Sequence, residues 1–106
     1  MAQTGDPKGD GTGGSDKPDL KAEFSDANHG RGAVSMARAQ NPDSANSQFF
    51  ICFGDASYLN GQYTIWGQVI EGMEFVDQIK KGDGPNGSVS SPDKIIKMQL
   101  ASVTDQ

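Results

Sequence analysis

Gln48-Phe49-Phe50-Ile51-Cys52-Phe53 is the stretch on which the fold turns. Aromatic and β-branched side chains fit a pleated, half-buried surface. The run is bounded by Asn46-Ser47 before it and Gly54-Asp55 after it, pairs that favour turns. It therefore reads as a central β-strand. Period-two alternation sends Phe49 and Phe50 to opposite faces, so in a half-open barrel one ring fills the interior and the other lines an outer groove. One of the two is a candidate for surface binding.

Two further β-like runs flank it, Gly32 to Ala39 and Tyr63 to Ile70. Asn60-Gly61, between Leu59 and Gln62, is a tight-turn signal that presents Tyr58 and Leu59 beside the start of the third run. From Gly72 to Lys81 the pattern changes: Met73, Val76 and Ile79 recur at helical spacing with Phe75, acids precede bases, and Gly82 follows. One short amphipathic helix is expected there. Residues 82–93 read as loop and 95–103, IIKMQLASV, as a last strand. Residues 4–32 hold many of the Gly, Asp and Lys and read as loop, with one short strand around Lys21 to Phe24. With 106 residues, 34% of them apolar and 14 of them Gly, the chain is expected to be one loop-rich, mainly β domain over 1–106.

Charge and composition exclude several functions. A formal net charge of −5, with no basic cluster longer than Lys80-Lys81, argues against a nucleic-acid partner. Cys52 is the sole cysteine, so no internal disulfide forms, and its apolar neighbours predict a buried thiol without a metal partner. No apolar run spans a membrane, and no signal-peptide pattern opens the sequence. A cytoplasmic protein is expected, or a periplasmic one if a preceding segment carries a signal peptide.

The glycine-rich stretch 5–14, GDPKGDGTGG, invites a phosphate-loop reading, but no Gly-Lys-Ser/Thr follows and Asp6 and Asp10 would repel phosphate. A calcium loop fails as well, because Lys8 and Lys17 stand where ligands are needed. His29, the only histidine, lies in the polar Asn28-His29-Gly30-Arg31-Gly32 and reads as a solvated loop residue. Asn86-Gly87-Ser88 matches a glycosylation sequon, a pattern common by chance. No metal or cofactor is expected.

Three blocks, MAQTGDPKGDGTGG from Met1, SMARAQNPDSANSQFFIC from Ser35 and YLNGQYTIWGQVIEGMEFVDQI from Tyr58, resemble in order and spacing the consecutive signatures of cyclophilin-type peptidyl-prolyl cis-trans isomerases. The resemblance covers essentially the whole chain. It implies an antiparallel β-barrel with an active-site groove on its outer face, incomplete here because the family's early strands and first helix are absent. Met1 and Phe50 would form the pocket for a proline ring, with Leu59 beside them and Phe49 turned into the barrel. Gln3 would hydrogen-bond the substrate backbone, and Gln48 would brace it. Ala37, Arg38 and Ala39 would wall the residue before proline, and Gly11 and Thr12 would border a secondary pocket. Tyr63 stands where many relatives have histidine, and Tyr58 where cyclosporin-sensitive eukaryotic members have tryptophan, which predicts weak cyclosporin binding. Arg38 occupies a position that is often asparagine and so bears on which side chains are accepted before proline.

The implied activity is rotation about X-Pro bonds in proline-containing peptides and unfolded proteins, a folding-helper role. Such rotation is slow because amide resonance must be lost, at a barrier near ~20 kcal/mol, and whatever favours the twisted state accelerates it. In the family an arginine donates toward the proline as resonance is lost; its position lies just upstream of the block that begins at Met1. The competing reading is a proline-peptide binder, or an inactive fragment, that keeps the groove without that arginine.

Overall fold

The computed structural model describes residues 1–82, 84 and 87–101. Its centre is a four-stranded antiparallel sheet formed by β1 (Ala2–Thr4), β2 (Ala33–Met36), β3 (Phe49–Ile51) and β4 (Ile65–Gln68), in the order β1-β3-β2-β4. The QFFICF run thus supplies an interior strand, with Gln3 and Ser35 both opposite Phe50. The strands are shorter than the apolar runs that contain them. Pairing nevertheless continues past β2, where Ala37 N–H donates to Gln48 O at 3.1 Å. Between β2 and β4 the register slips at Val34/Ser35, a bulge that strengthens the local twist.

One face of the sheet carries the core: Ala33, Phe50, Cys52 and Ala56, with Ala37, Leu59 and Tyr63 packed against them. On the opposite face Phe49 meets Trp66 edge to face at 5.7 Å, and Trp66 remains half exposed. A one-turn 3₁₀ helix, Ser57–Leu59, leads into the turn at Asn60-Gly61. There Gln62 N–H closes onto Leu59 O at 3.1 Å with Asn60 extended (φ −59, ψ 136) and only Gly61 at positive φ (75), a type II geometry.

Three expectations need correction. The helix α1 covers only Met73–Val76 rather than residues 72–81. Beyond it the hydrogen bonds tighten to three-residue spacing (Gln78 N–H to Phe75 O, Ile79 N–H to Val76 O), and Phe75 is two-thirds exposed. A short helix draws its stability from burying an apolar stripe, and this stripe has little to pack against. The strand expected at 95–103 is absent among the described residues: Ile95, Ile96, Met98 and Leu100 are all exposed and pair with no neighbouring strand. Residues 102 and 103 lie outside the described residues, as does Asn86 of the sequon. Lys21 to Phe24 forms no strand either. An isolated bridge of Leu20 with Ala45 stands just before it, while Ala22 N–H is taken by the Asp43 side chain and Glu23 N–H by Thr64 Oγ1, so side chains replace a ladder.

Candidate functional site

The sheet brings the polar members of the expected site together at one edge. Gln3 on β1 donates from Nε2 to Gln48 Oε1 at 2.8 Å. Gln48 in turn donates from Nε2 to the carbonyls of Gly11 (3.1 Å) and Gly13 (2.7 Å). Its amide is therefore fully used as a brace between β1, β3 and the glycine-rich loop. Gln3 keeps its carbonyl oxygen without a partner among the described residues, available to a ligand N–H.

That loop is shaped from within. Asp6 accepts N–H groups from Lys8 (2.9 Å), Asp10 (3.1 Å), Gly11 (2.7 Å) and Thr12 (3.1 Å). Desolvation acts to raise its pKa, but the backbone amides and the Asp10 side chain outweigh it and hold the carboxyl well below the ordinary carboxylate range. The amides that a phosphate would need already close on an internal anion, which explains in geometry why the phosphate-loop reading fails. Gly5 enters the loop at φ +95, where a Cβ would collide with Ser47 O.

A cavity of about 260 Å³ opens above this edge, and its walls include Gln3, Gly11, Thr12, Ala37, Arg38 and Gln48. Ala39 lines it too. Arg38 lies over the Tyr63 ring at 4.7 Å and is held by the carbonyls of Gln62, Ala39 and Gln40. Met1, Phe50, Tyr58, Leu59 and Tyr63 do not line this cavity. Met1 and Tyr58 are exposed, at 50% and 71%, whereas Phe50 is only 3% exposed. Phe50 does share a face with Leu59, Tyr63 and Ala37, and Tyr63 meets it edge to face at 5.9 Å. The alternation thus puts Phe50 on the Leu59 side and Phe49 on the other, but Phe50 is a covered floor rather than an open groove wall. Phe49, for its part, is only partly covered by Trp66.

His29 corrects the sequence reading most. It is fully buried, not solvated. Its ring stacks on Phe50 at 6.1 Å and 18° between planes. Asn60 Oδ1 accepts the His29 backbone N–H at 2.8 Å and lies 3.0 Å from Nδ1; Nε2 lies 3.0 Å from Ser35 Oγ. Because Oδ1 only accepts, Nδ1 carries a proton. In the neutral ring the Ser35 hydroxyl then donates to Nε2, and Thr64 O, also 3.0 Å from Ser35 Oγ, stays satisfied by Met36 N–H. The imidazole ties the floor residue Phe50 to the turn that carries Tyr58 and Leu59. A serine inside the apolar strand Ala33-Val34-Ser35-Met36 was the available signal, since a buried hydroxyl needs a partner; nothing in the local sequence says that the partner is His29.

Arg31, the other arginine, forks onto Asp77 at 3.0 and 2.6 Å and donates to Phe53 O at 2.8 Å. The hydrogen bond from Arg31 keeps the Asp77 carboxyl below its usual range. Cys52 is buried, and desolvation pushes its thiol pKa up, the setting of an unreactive cysteine. No cluster of His, Cys, Asp and Glu that could hold a metal occurs among the described residues, and no helix there is long and apolar enough to cross a membrane.

The sheet edge thus sets the free Gln3 carbonyl and the braced glycine loop beside the face that carries Phe50. The sequence matches the family described as cyclophilin type peptidyl-prolyl cis-trans isomerase/CLD over residues 1–100. The chain belongs to that family. It is 56% identical over 116 residues to a probable peptidyl-prolyl cis-trans isomerase of Brucella abortus, covering 98% of this chain and 59% of that protein. A peptidyl-prolyl cis-trans isomerase of Helicobacter pylori is 41% identical over 96 residues, covering 87% and 58%. Among solved structures, a Cryptosporidium parvum cyclophilin type peptidyl-prolyl cis-trans isomerase crystallised in the presence of the dipeptide Ala-Pro is similar with a TM-score of 0.65 and 37% identity, over 72% of this chain and 51% of that one. The chain spans about three-fifths of the length of the Brucella relative.

Proposed function

We propose that this chain carries the proline-peptide groove of a peptidyl-prolyl cis-trans isomerase. The observation that carries the reading is the Gln3–Gln48–glycine-loop brace on the edge strand β1 and its neighbour, with Phe50 of the interior strand directly opposite Gln3 in the register. Gln3 Oε1 would accept from the substrate backbone. Leu59 and Tyr63, packed against Phe50, together with Met1 would receive the proline ring, and Ala37, Arg38 and Ala39 would border the residue before it. Seating the ring requires Tyr63 or Leu59 to yield, since Phe50 is covered. A pocket that grips the ring while hydrogen bonds steady the carbonyl end favours the twisted amide over the planar one and needs no nucleophile.

Both arginines of the chain are engaged, Arg31 with Asp77 and Arg38 above Tyr63. The catalytic arginine function would come from the part of the protein corresponding to the remaining two-fifths of the relatives. The 106-residue chain alone is then a binder with little or no isomerase activity, as loss of one positioned donor costs about 10²- to 10³-fold in rate. Cyclosporin would bind weakly, because Tyr58 offers no indole N–H.

Exchange NMR of an Ala-Pro peptide tests this. The chain alone should bind without accelerating exchange, and a synthetic peptide of the family segment that precedes the block at Met1 should restore exchange only with its arginine intact. Absence of any proline-peptide binding, with or without that segment, would refute the reading.

A further inference from the structure

We infer that the cavity walled by Arg38 selects an acidic side chain on the N-terminal side of the substrate proline. The inference rests on the proline-groove reading and concerns its substrate class.

Arg38 is the one charged side chain among those lining the cavity. Its guanidinium is held by carbonyls alone: Nε and Nη2 donate to Gln62 O at 3.2 and 2.8 Å, and Nη1 donates to Ala39 O at 2.9 Å and Gln40 O at 3.2 Å. Five N–H donors and four bonds leave one Nη2 hydrogen unspent. Among the described residues no carboxylate forms an ion pair with it, in contrast to Arg31, which Asp77 neutralises. One face of the guanidinium lies against the Tyr63 ring, so a ligand reaches the group from the cavity side. Carbonyl dipoles and an aromatic face fix the position of a guanidinium and leave its charge for a carboxylate, which such a fixed planar group binds at low entropic cost.

The acids around the cavity do not supply that carboxylate. Asp6 and Asp10 belong to the glycine loop, do not line the cavity and are turned onto the loop's own amides. Asp19 accepts from Asn46, and Asp43 accepts from Ala22 N–H. Their field opposes an anionic ligand at long range, so the preference must come from direct contact with Arg38 and from nothing broader. Tyr63 links the two sites, lying under Arg38 and against Phe50. A peptide with its proline over Phe50 and its preceding residues along Ala37–Arg38–Ala39 would carry an acidic side chain to the free Nη2 hydrogen.

Capped peptides Ala-X-Pro-Ala and X-Ala-Pro-Ala, with X as Glu, Gln or Lys, would be titrated into the 106-residue chain and followed by amide chemical shifts. At one of the two positions Glu should bind about tenfold more tightly than Gln, and Lys more weakly than Gln, the size of one charge-assisted hydrogen bond. In Arg38→Gln the Glu-to-Gln ratio should fall to about one. In Arg38→Lys it should stay above one. Should Arg38→Gln fail to fold, raising salt to 0.5 M on the unsubstituted chain should shrink the same ratio. Equal affinity for Glu and Gln at both positions, or a preference that survives in Arg38→Gln, overturns the inference while leaving proline binding intact. Failure of every peptide, Gln included, would overturn the proline-groove reading and this inference with it.

Discussion

Replacing His29 by Ala should cost this fold about 3–4 kcal/mol, a figure that follows from what the ring touches. Two side-chain hydrogen bonds disappear, to Asn60 and Ser35. Each contributes about 1 kcal/mol net. Neither partner is orphaned: Asn60 Oδ1 keeps the backbone N–H of residue 29, and the Ser35 hydroxyl turns onto Thr64 O, 3.0 Å away. No desolvation penalty is therefore added for an unpaired atom. The void left beside Phe50, whose ring the imidazole stacks on, adds about 1–2 kcal/mol for a site that is fully buried and collapses only in part. Against a total stability of roughly 5–15 kcal/mol for a native domain this is a large share. Urea denaturation followed by circular dichroism measures it, with a lower midpoint expected at unchanged m-value. Tyr58→Ala, at a side chain 71% exposed, serves as the control and should shift stability by less than about 0.5 kcal/mol. A loss below about 1 kcal/mol in His29→Ala would refute the claim that the histidine is a buried strut.

Three other outcomes are expected. Gln48→Ala should weaken proline-peptide binding about tenfold while moving the urea midpoint little, because it frees Gln3 and the Gly11–Gly13 carbonyls at a rim rather than emptying the core; calorimetric titration checks the affinity. Asp77 has its pKa lowered from 3.8 in the folded state, so its contribution is fully present above that value and is lost as pH falls through the lower folded one. Arg31→Met should therefore flatten the acid limb of a pH-stability curve, and an unchanged limb would count against the pair. Cys52, buried with its thiol pKa raised, should react with a thiol reagent only through opening of the fold, and faster in His29→Ala. Fast labelling in the unsubstituted chain would contradict the burial.

Local chemistry carried much of this protein into view. The aromatic run at 48–53 marked an interior strand, the Asn-Gly pair marked the turn at 60–61, and Cys52 among phenylalanines marked a buried thiol. Each is legible because its cause is short-range: alternation, backbone freedom or neighbouring apolar side chains. The family blocks likewise named Gln3 and Gln48, whose pairing spans 45 positions. Other features were set by packing alone. His29 looks solvated in Asn28-His29-Gly30-Arg31-Gly32 and becomes the most deeply buried polar ring once Ser35 and Asn60 are folded around it. Residues 95–100 have the composition of a strand, yet a strand exists only where a neighbour takes its hydrogen bonds, and none does here. Alternation put Phe49 and Phe50 on opposite faces, but the exposure of Phe50 depended on Tyr63 and Leu59, packed against it from elsewhere in the chain. Sequence pattern determines which face a side chain takes, because that is a property of the strand; what covers that face belongs to the tertiary structure, because the covering residues come from elsewhere in the chain.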